Sequence, residues 1–91
     1  MGIKVNIPTP LRAYTGQQAV VEVEGTNIGE LLKNLTAAHG DLKPHLYSQD
    51  GKLRSFVNVY LNDEDIRYLD EMQTVVKDGQ LVALIPAVAG G

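Results

Sequence analysis

A single amphipathic helix among short alternating strands is the pattern that most limits how this chain can fold. Four apolar residues recur with the i, i+3, i+4, i+7 spacing of one helical face: Ile28, Leu31, Leu32 and Leu35. One such stripe needs an apolar surface to pack on, and the strand-like segments on either side of it can supply a sheet. The sequence therefore predicts an α+β fold, a mixed sheet with one main helix packed across one face.

The helix boundaries are indicated by local signals. Asn27 and Glu30 have the spacing of a capping box, and Thr26 is a second candidate for the cap. Gly40 is a typical C-terminal stop. The helix is expected near residues 27–39.

Period-two alternation and β-branched runs predict the strands. Residues 3–7 and 19–24 alternate and are joined through a turn at 14–17, which favours an antiparallel hairpin. Residues 56–61 carry the strongest strand pattern, and residues 81–85 form a last apolar strand.

The other segments are predicted to be connections. Residues 41–54 are expected to be a loop with one short helical turn, and residues 62–65 a solvated turn. Residues 66–68 are predicted to be a short edge strand. Pro86 is predicted to end the last strand, because proline donates no backbone hydrogen bond.

Size and composition exclude several classes of function. Ninety-one residues make one small domain, and the absence of cysteine excludes disulfides, thiolate metal sites and a reactive thiol. A net charge of −3 with scattered Lys and Arg predicts no nucleic-acid partner. Without a leader-like N-terminus or a long apolar run, we expect a cytoplasmic protein away from membranes, and Met1 suggests a complete chain.

The polar residues form no pattern typical of an enzyme. His39 and His45 are separated by Gly40 and Pro44, so they do not share one helix, and we interpret them as surface residues. The acidic run 63–65 lacks the spacing of a calcium loop, and Arg67 could pair with it. No nucleophile elbow or glycine-rich phosphate loop is present. We therefore do not expect a self-contained enzyme.

The Gly90-Gly91 terminus is the feature with the clearest chemistry. Two terminal glycines can thread a narrow cleft, since they have no Cβ. We expect residues 1–86 to form the domain and residues 87–91 to form a flexible tail, which can reach about 17 Å when extended. The functional interpretation is that the α-carboxylate of Gly91 reacts after another protein has activated it.

The order of elements together with the ending PAVAGG (86–91) resembles the ubiquitin-like β-grasp sulfur carriers of the ThiS/MoaD superfamily. Two further segments are similar to the mycobacterial-type subgroup that delivers sulfur for cysteine biosynthesis: VNIPTPLR at 5–12 and FVNVYLNDEDIR at 56–67. The resemblance covers essentially the whole chain and implies the β-grasp fold.

The resemblance implies a carrier cycle run by partner enzymes. An adenylating enzyme of the ubiquitin-activating type would use ATP and Mg²⁺ to convert the Gly91 carboxylate to an acyl adenylate, and sulfur would replace AMP to give a thiocarboxylate. A pyridoxal-phosphate-dependent cysteine synthase would use that sulfur, and a metal-dependent peptidase would release cysteine from Gly91. This chain itself would bind no cofactor or metal and would be a monomer when free.

The resemblance also implies a docking face on the side of the sheet away from the helix. The residues assigned to partner binding are Ile85, Pro86, Val88, Ala89, Phe56 and Tyr60. For Phe56 and Tyr60, ordinary packing within the sheet is an alternative.

Two other functions fit the same tail. The chain could be the small subunit of molybdopterin synthase, acting in molybdenum cofactor biosynthesis. It could also be a ubiquitin-like protein modifier, joined through Gly91 to lysines of its targets.

Overall fold

The computed structural model describes residues 2–54 and 57–86, with Pro86 described by its backbone alone. Its strands are β1 (Ile3–Asn6), β2 (Val20–Val23), β3 (Val57–Leu61), β4 (Glu64–Asp65) and β5 (Leu81–Pro86). The α-helices are α1 (Ile28–Ala38) and α2 (Lys43–Leu46). Short 3₁₀ helices lie at Thr9–Thr15, Gly40–Leu42, Ile66–Tyr68 and Glu71–Gln73.

The strands form one mixed sheet in the order β2-β1-β5-β3-β4. β1 and β2 form the predicted antiparallel hairpin, while β1 and β5 are parallel. β3 is antiparallel to both β5 and β4. The predicted α+β class with a mixed sheet and one main helix is confirmed, and β5 is its central strand.

Helix α1 begins at the predicted cap. The Asn27 Oδ1 accepts a hydrogen bond from the Glu30 backbone N–H at 2.7 Å. In return, the Glu30 carboxylate accepts from the N–H of Thr26 at 2.8 Å, so the reciprocal bond falls one residue earlier than in a standard capping box. Both candidate caps therefore contribute, and the predicted helix is confirmed.

The apolar stripe of α1 packs on one face of the sheet and closes the core. The side chains of Ile28, Leu31, Leu32 and Leu35 are completely buried. On β1, β2, β3 and β5, alternate residues point to the same core, so one face of the sheet is covered and its other face is open.

The predicted edge strand at 66–68 is wrong. Asn62 and Asp63 both have positive φ, 49° and 73°, which makes a tight two-residue hairpin turn of a kind that Asn and Asp favour. The edge strand is therefore β4 (Glu64–Asp65), and residues 66–68 form a 3₁₀ helix after it. Asp65 starts that helix, because its carboxylate accepts from the Arg67 N–H at 2.9 Å.

Two connections are more ordered than the sequence predicts. The link between β1 and β2 is a 3₁₀ helix over Thr9–Thr15, followed by the expected turn at Gly16. The segment predicted to be a loop with one helical turn contains two consecutive short helices, and these bury Leu42 and Leu46 completely.

Candidate functional site

The open sheet face is the candidate site, because α1 leaves it uncovered. Its largest apolar side chains are substantially exposed: Val20 at 46%, Leu81 at 38% and Ile85 at 47%. These residues belong to β2 and β5, on which the alternate residues are buried against α1. An exposed apolar surface of this kind is typical of an interaction site.

The end of β5 lies at this face. β5 pairs with β1 only as far as Ala83, whereas its pairing with β3 continues to Pro86. The pairing with β1 stops because Pro8 has no N–H to donate to the next position of the parallel ladder. Pro86, the last described residue, thus lies at the end of the middle strand of the sheet.

Asp65, Arg67 and Asn58 form a hydrogen-bonded network on the β3–β4 side of the open face. The Arg67 guanidinium donates to both carboxylate oxygens of Asp65, at 2.6 Å from Nη2 to Oδ2, and also to the Asn58 Oδ1 at 2.8 Å. Asn58 lies opposite Ile85 on the neighbouring strand. Arg67 is thereby linked to the residue that lies opposite Ile85 in the sheet.

This ion pair has a clear electrostatic consequence. The hydrogen bonds that Arg67 donates hold the pKa of Asp65 below its usual value, and the pair raises the pKa of Arg67. The predicted pairing of Arg67 with the acidic run is confirmed for Asp65. The expectation that the whole run faces water is wrong at Asp65, which is buried because the hairpin turns it onto the sheet.

The predicted partner-binding residues are described only in part. Ile85 lies on the open face, and Tyr60 is half-buried on the same face, opposite Ala83. The backbone of Pro86 continues β5, one residue beyond the predicted strand end. Phe56, Val88, Ala89, Gly90 and Gly91, and with them the predicted tail 87–91, lie outside the described residues. The docking role of all these residues stays a prediction.

Sequence reasoning missed three residues of the open face. Val20 and Leu81 could have been found from strand alternation, since each is an even number of residues from the other exposed positions of its strand. Asn58 could not, because its bond to Arg67 depends on where β4 and the following 3₁₀ helix lie.

The two histidines do not come together at a common site. The His45 ring stacks on Tyr14, with ring centroids 4.3 Å apart, which joins α2 to the 3₁₀ helix over Thr9–Thr15. His39 caps the C-terminus of α1. Across residues 2–54 and 57–86, no group of three or more His, Asp or Glu side chains could hold a metal ion. In the same part of the chain, no helix is both long and apolar enough to cross a bilayer.

A helix packed across a five-stranded mixed sheet, with an uncovered apolar face, defines a ubiquitin-like β-grasp protein. Comparison with known proteins identifies its family. The family model described as "ThiS family" matches residues 5–91, so the chain belongs to the ThiS family.

Relatives cover the full chain. It is 42% identical over 93 residues to the sulfur carrier protein CysO of Mycobacterium tuberculosis, with 100% of each chain covered. It is 32% identical over 94 residues to small archaeal modifier protein 3 of Haloferax volcanii, again with complete coverage of both.

One solved structure of similar fold contains a CysO in complex with another protein. The chain is similar to a chain in the crystal structure of the Amycolatopsis orientalis BexX/CysO complex, with a TM-score of 0.89 and 40% identity. The match covers 99% of this chain and 100% of that one. Together the comparisons show a sulfur carrier protein of the ThiS family, not an enzyme.

Proposed function

We propose that the chain carries sulfur as a thiocarboxylate on Gly91 and delivers it for cysteine biosynthesis. The observation that supports this most directly is the end of β5. The described part of the central strand ends with exposed Ile85 and Pro86, and the five residues that follow in the sequence would span about 17 Å if extended, enough to enter a partner's active site. The 42% identity to a CysO supports the choice of pathway.

The chemistry follows from the groups available. With no cysteine in the chain, sulfur cannot be carried on a thiol. In the first step, a carboxylate oxygen of Gly91 attacks the α-phosphorus of ATP, and pyrophosphate leaves. In the second step, a sulfide sulfur attacks the acyl carbon, the bond to AMP breaks, and Gly91 ends in a thiocarboxylate.

The proposed partners supply the cofactors. ATP and Mg²⁺ belong to an adenylating enzyme of the ubiquitin-activating type, and pyridoxal phosphate belongs to a cysteine synthase. In that synthase the sulfur would replace the leaving group of an activated serine. A metal-dependent peptidase would then hydrolyse the bond between Gly91 and the new cysteine. The exposed open face, with Ile85 and Tyr60, would dock against these partners, and we propose the same role for Pro86, Phe56, Val88 and Ala89.

Intact-mass spectrometry tests the carrier function. After incubation with the adenylating enzyme, ATP and sulfide, the chain should gain the mass of one sulfur in place of one oxygen. A chain lacking Gly91 should not gain it, whereas Gly40→Ala, which places a Cβ in open space, should react like the parent chain. Unchanged reaction of the chain that lacks Gly91 would overturn the proposal.

Adding the cysteine synthase and an activated serine tests the pathway. The product should be one cysteine residue heavier than the unmodified chain, with its sulfur supplied by the thiocarboxylate, and the peptidase should remove that residue. If the thiocarboxylate forms but is consumed only by a molybdopterin synthase large subunit, the carrier function stands and the cysteine pathway does not.

Protein modification is a second candidate, favoured by the 32% identity to a Haloferax volcanii protein named as a modifier. It predicts isopeptide remnants of Gly91 on lysines of other proteins in tryptic digests. A labile thiocarboxylate without such remnants would count against it.

A further inference from the structure

A groove on the open face begins where β1 and β5 separate. Its floor is a cross-strand row in which Val20 lies opposite Asn6, and Asn6 lies opposite Ala83. Ile85, Pro8 and Arg12 also line the groove. The volume of about 410 Å³ is sufficient for one or two side chains of another protein.

A hydrogen bond to the backbone fixes the Arg12 side chain in the lining of this groove. Its Nε donates to the backbone oxygen of Ile7 at 2.9 Å, and the side chain is half-buried. This bond uses one of the five N–H donors of the guanidinium and leaves the two Nη groups for another partner. The group is therefore oriented before anything binds.

No carboxylate among residues 2–54 and 57–86 neutralises Arg12. The ion pair that the structure records in this part of the chain joins Arg67 to Asp65, on the β3–β4 side. The side chains that line the groove beside Arg12 are apolar or uncharged. Lys4 and Glu22, which face each other on β1 and β2, lie one row further along the sheet. The floor of the groove is thus uncharged, with the Asn6 side chain between two apolar ones, and Arg12 supplies a positive charge to its lining.

We infer that this groove binds an apolar side chain of the adenylating partner, with an adjacent Asp or Glu carboxylate held by Arg12. A guanidinium fork matches a carboxylate in a two-bond geometry that lysine cannot reproduce. The apolar side chains of the lining, Val20 and Ile85 among them, would exclude water from the pair and strengthen it. This inference rests on the proposed function, since it names part of the surface by which the carrier docks for activation.

Steady-state adenylation kinetics test the role of Arg12. In Arg12→Gln, the KM for the carrier should rise about tenfold or more while kcat stays within about twofold, because a hydrogen-bonded charge is lost from docking only. Lys33→Gln is the matched control. It removes the same charge from an exposed position of α1, on the opposite side of the sheet from the groove, and should leave KM unchanged. Arg12→Lys should fall between the parent chain and Arg12→Gln.

A second variant leaves the bond between Arg12 and Ile7 in place. Val20→Asp sets a carboxylate in the groove at an exposed position, where it can pair with Arg12 and compete with the partner. Its KM should rise as in Arg12→Gln, and combining the two changes should raise KM by less than the product of the single effects. Thermal unfolding of each variant confirms that the fold is retained.

The outcomes separate this inference from the proposed function. If the parent chain forms a thiocarboxylate and neither Arg12→Gln nor Val20→Asp changes KM, the groove is not the contact and the carrier function stands. If the parent chain forms no thiocarboxylate, both are overturned. A rise in KM for Arg12→Glu that is reversed by an Asp→Arg or Glu→Arg change in the partner identifies the carboxylate.

Discussion

Leu84 and Ile85 are neighbours on β5, yet Leu84 is 2% exposed and Ile85 is 47% exposed. Leu84 points to the face that α1 covers, and Ile85 points to the face that nothing in the described chain covers. The same central strand therefore serves both faces. We infer from this difference that burial on the covered face stabilises the domain, whereas side chains on the open face are accessible to a partner and should tolerate substitution.

The largest expected effect comes from replacing each of these two neighbours with alanine in turn. Leu84→Ala should lower the free energy of unfolding by about 2–5 kcal/mol, because it leaves a cavity in the core. Ile85→Ala should cost less than about 1 kcal/mol, mainly through strand preference. Urea unfolding measures both. Equal losses would show that the two faces do not differ as the structure implies.

Gly25 tests how closely α1 sits on the sheet. A Cβ at this position would lie 2.8 Å from the backbone N and Cα of Leu31, so Gly25→Ala must displace α1. The expected cost is about 1–3 kcal/mol, as for overpacking in general. Gly40→Ala is the matched control, since a Cβ there meets no atom within 4 Å. A neutral Gly25→Ala would mean that α1 can move without cost to the core.

The helix cap separates stability from binding. Asn27→Ala removes the acceptor for the Glu30 N–H and should cost about 0.5–2 kcal/mol. Because the cap lies outside the open face, the KM for adenylation should not change. Thermal unfolding and kinetics on the same preparation measure the two effects, with Lys33→Ala as the exposed helical control. A change in KM as large as that of Arg12→Gln would show that the helix cap affects binding at the open face.

The smallest effect concerns the ion pair at the rim of the open face, and it depends on pH. The folded pKa of Asp65 lies below its unfolded value, so the carboxylate stabilises the fold above about pH 4, its ordinary pKa range, and this contribution is lost as the pH falls through the folded pKa. Asp65→Asn should therefore be less stable than the parent chain near neutral pH, with the difference vanishing in acid.

Urea midpoints measured across this pH range check the prediction. Asp63→Asn, an exposed change in the adjacent turn, is the control and should show no such convergence. A stability difference for Asp65→Asn that persists unchanged into acid would assign the effect to packing instead of charge.

Local pattern predicted the helix well, because its stripe and its cap are both encoded within four-residue spacings. The cap at Asn27 and the buried stripe lie where they are expected. The edge strand was misplaced by two residues, since the tight turn depends on Asn62 and Asp63 both adopting positive φ. Leu42 and Leu46 were assigned to a polar loop, and only their contact with the end of the core explains their burial.

By itself, the sequence determined the periodicities, the cap, the absence of thiols and the Gly-Gly terminus, all of which are local or compositional. It also predicted that Ile85 would face away from the helix, from alternation and family resemblance. Only the tertiary structure decided that β5 is the central strand, that Arg67 reaches both Asp65 and Asn58, and that Arg12 lines the same groove as Val20 and Ile85. These depend on which strands pair and in what register, and that is set by packing between segments far apart in the chain.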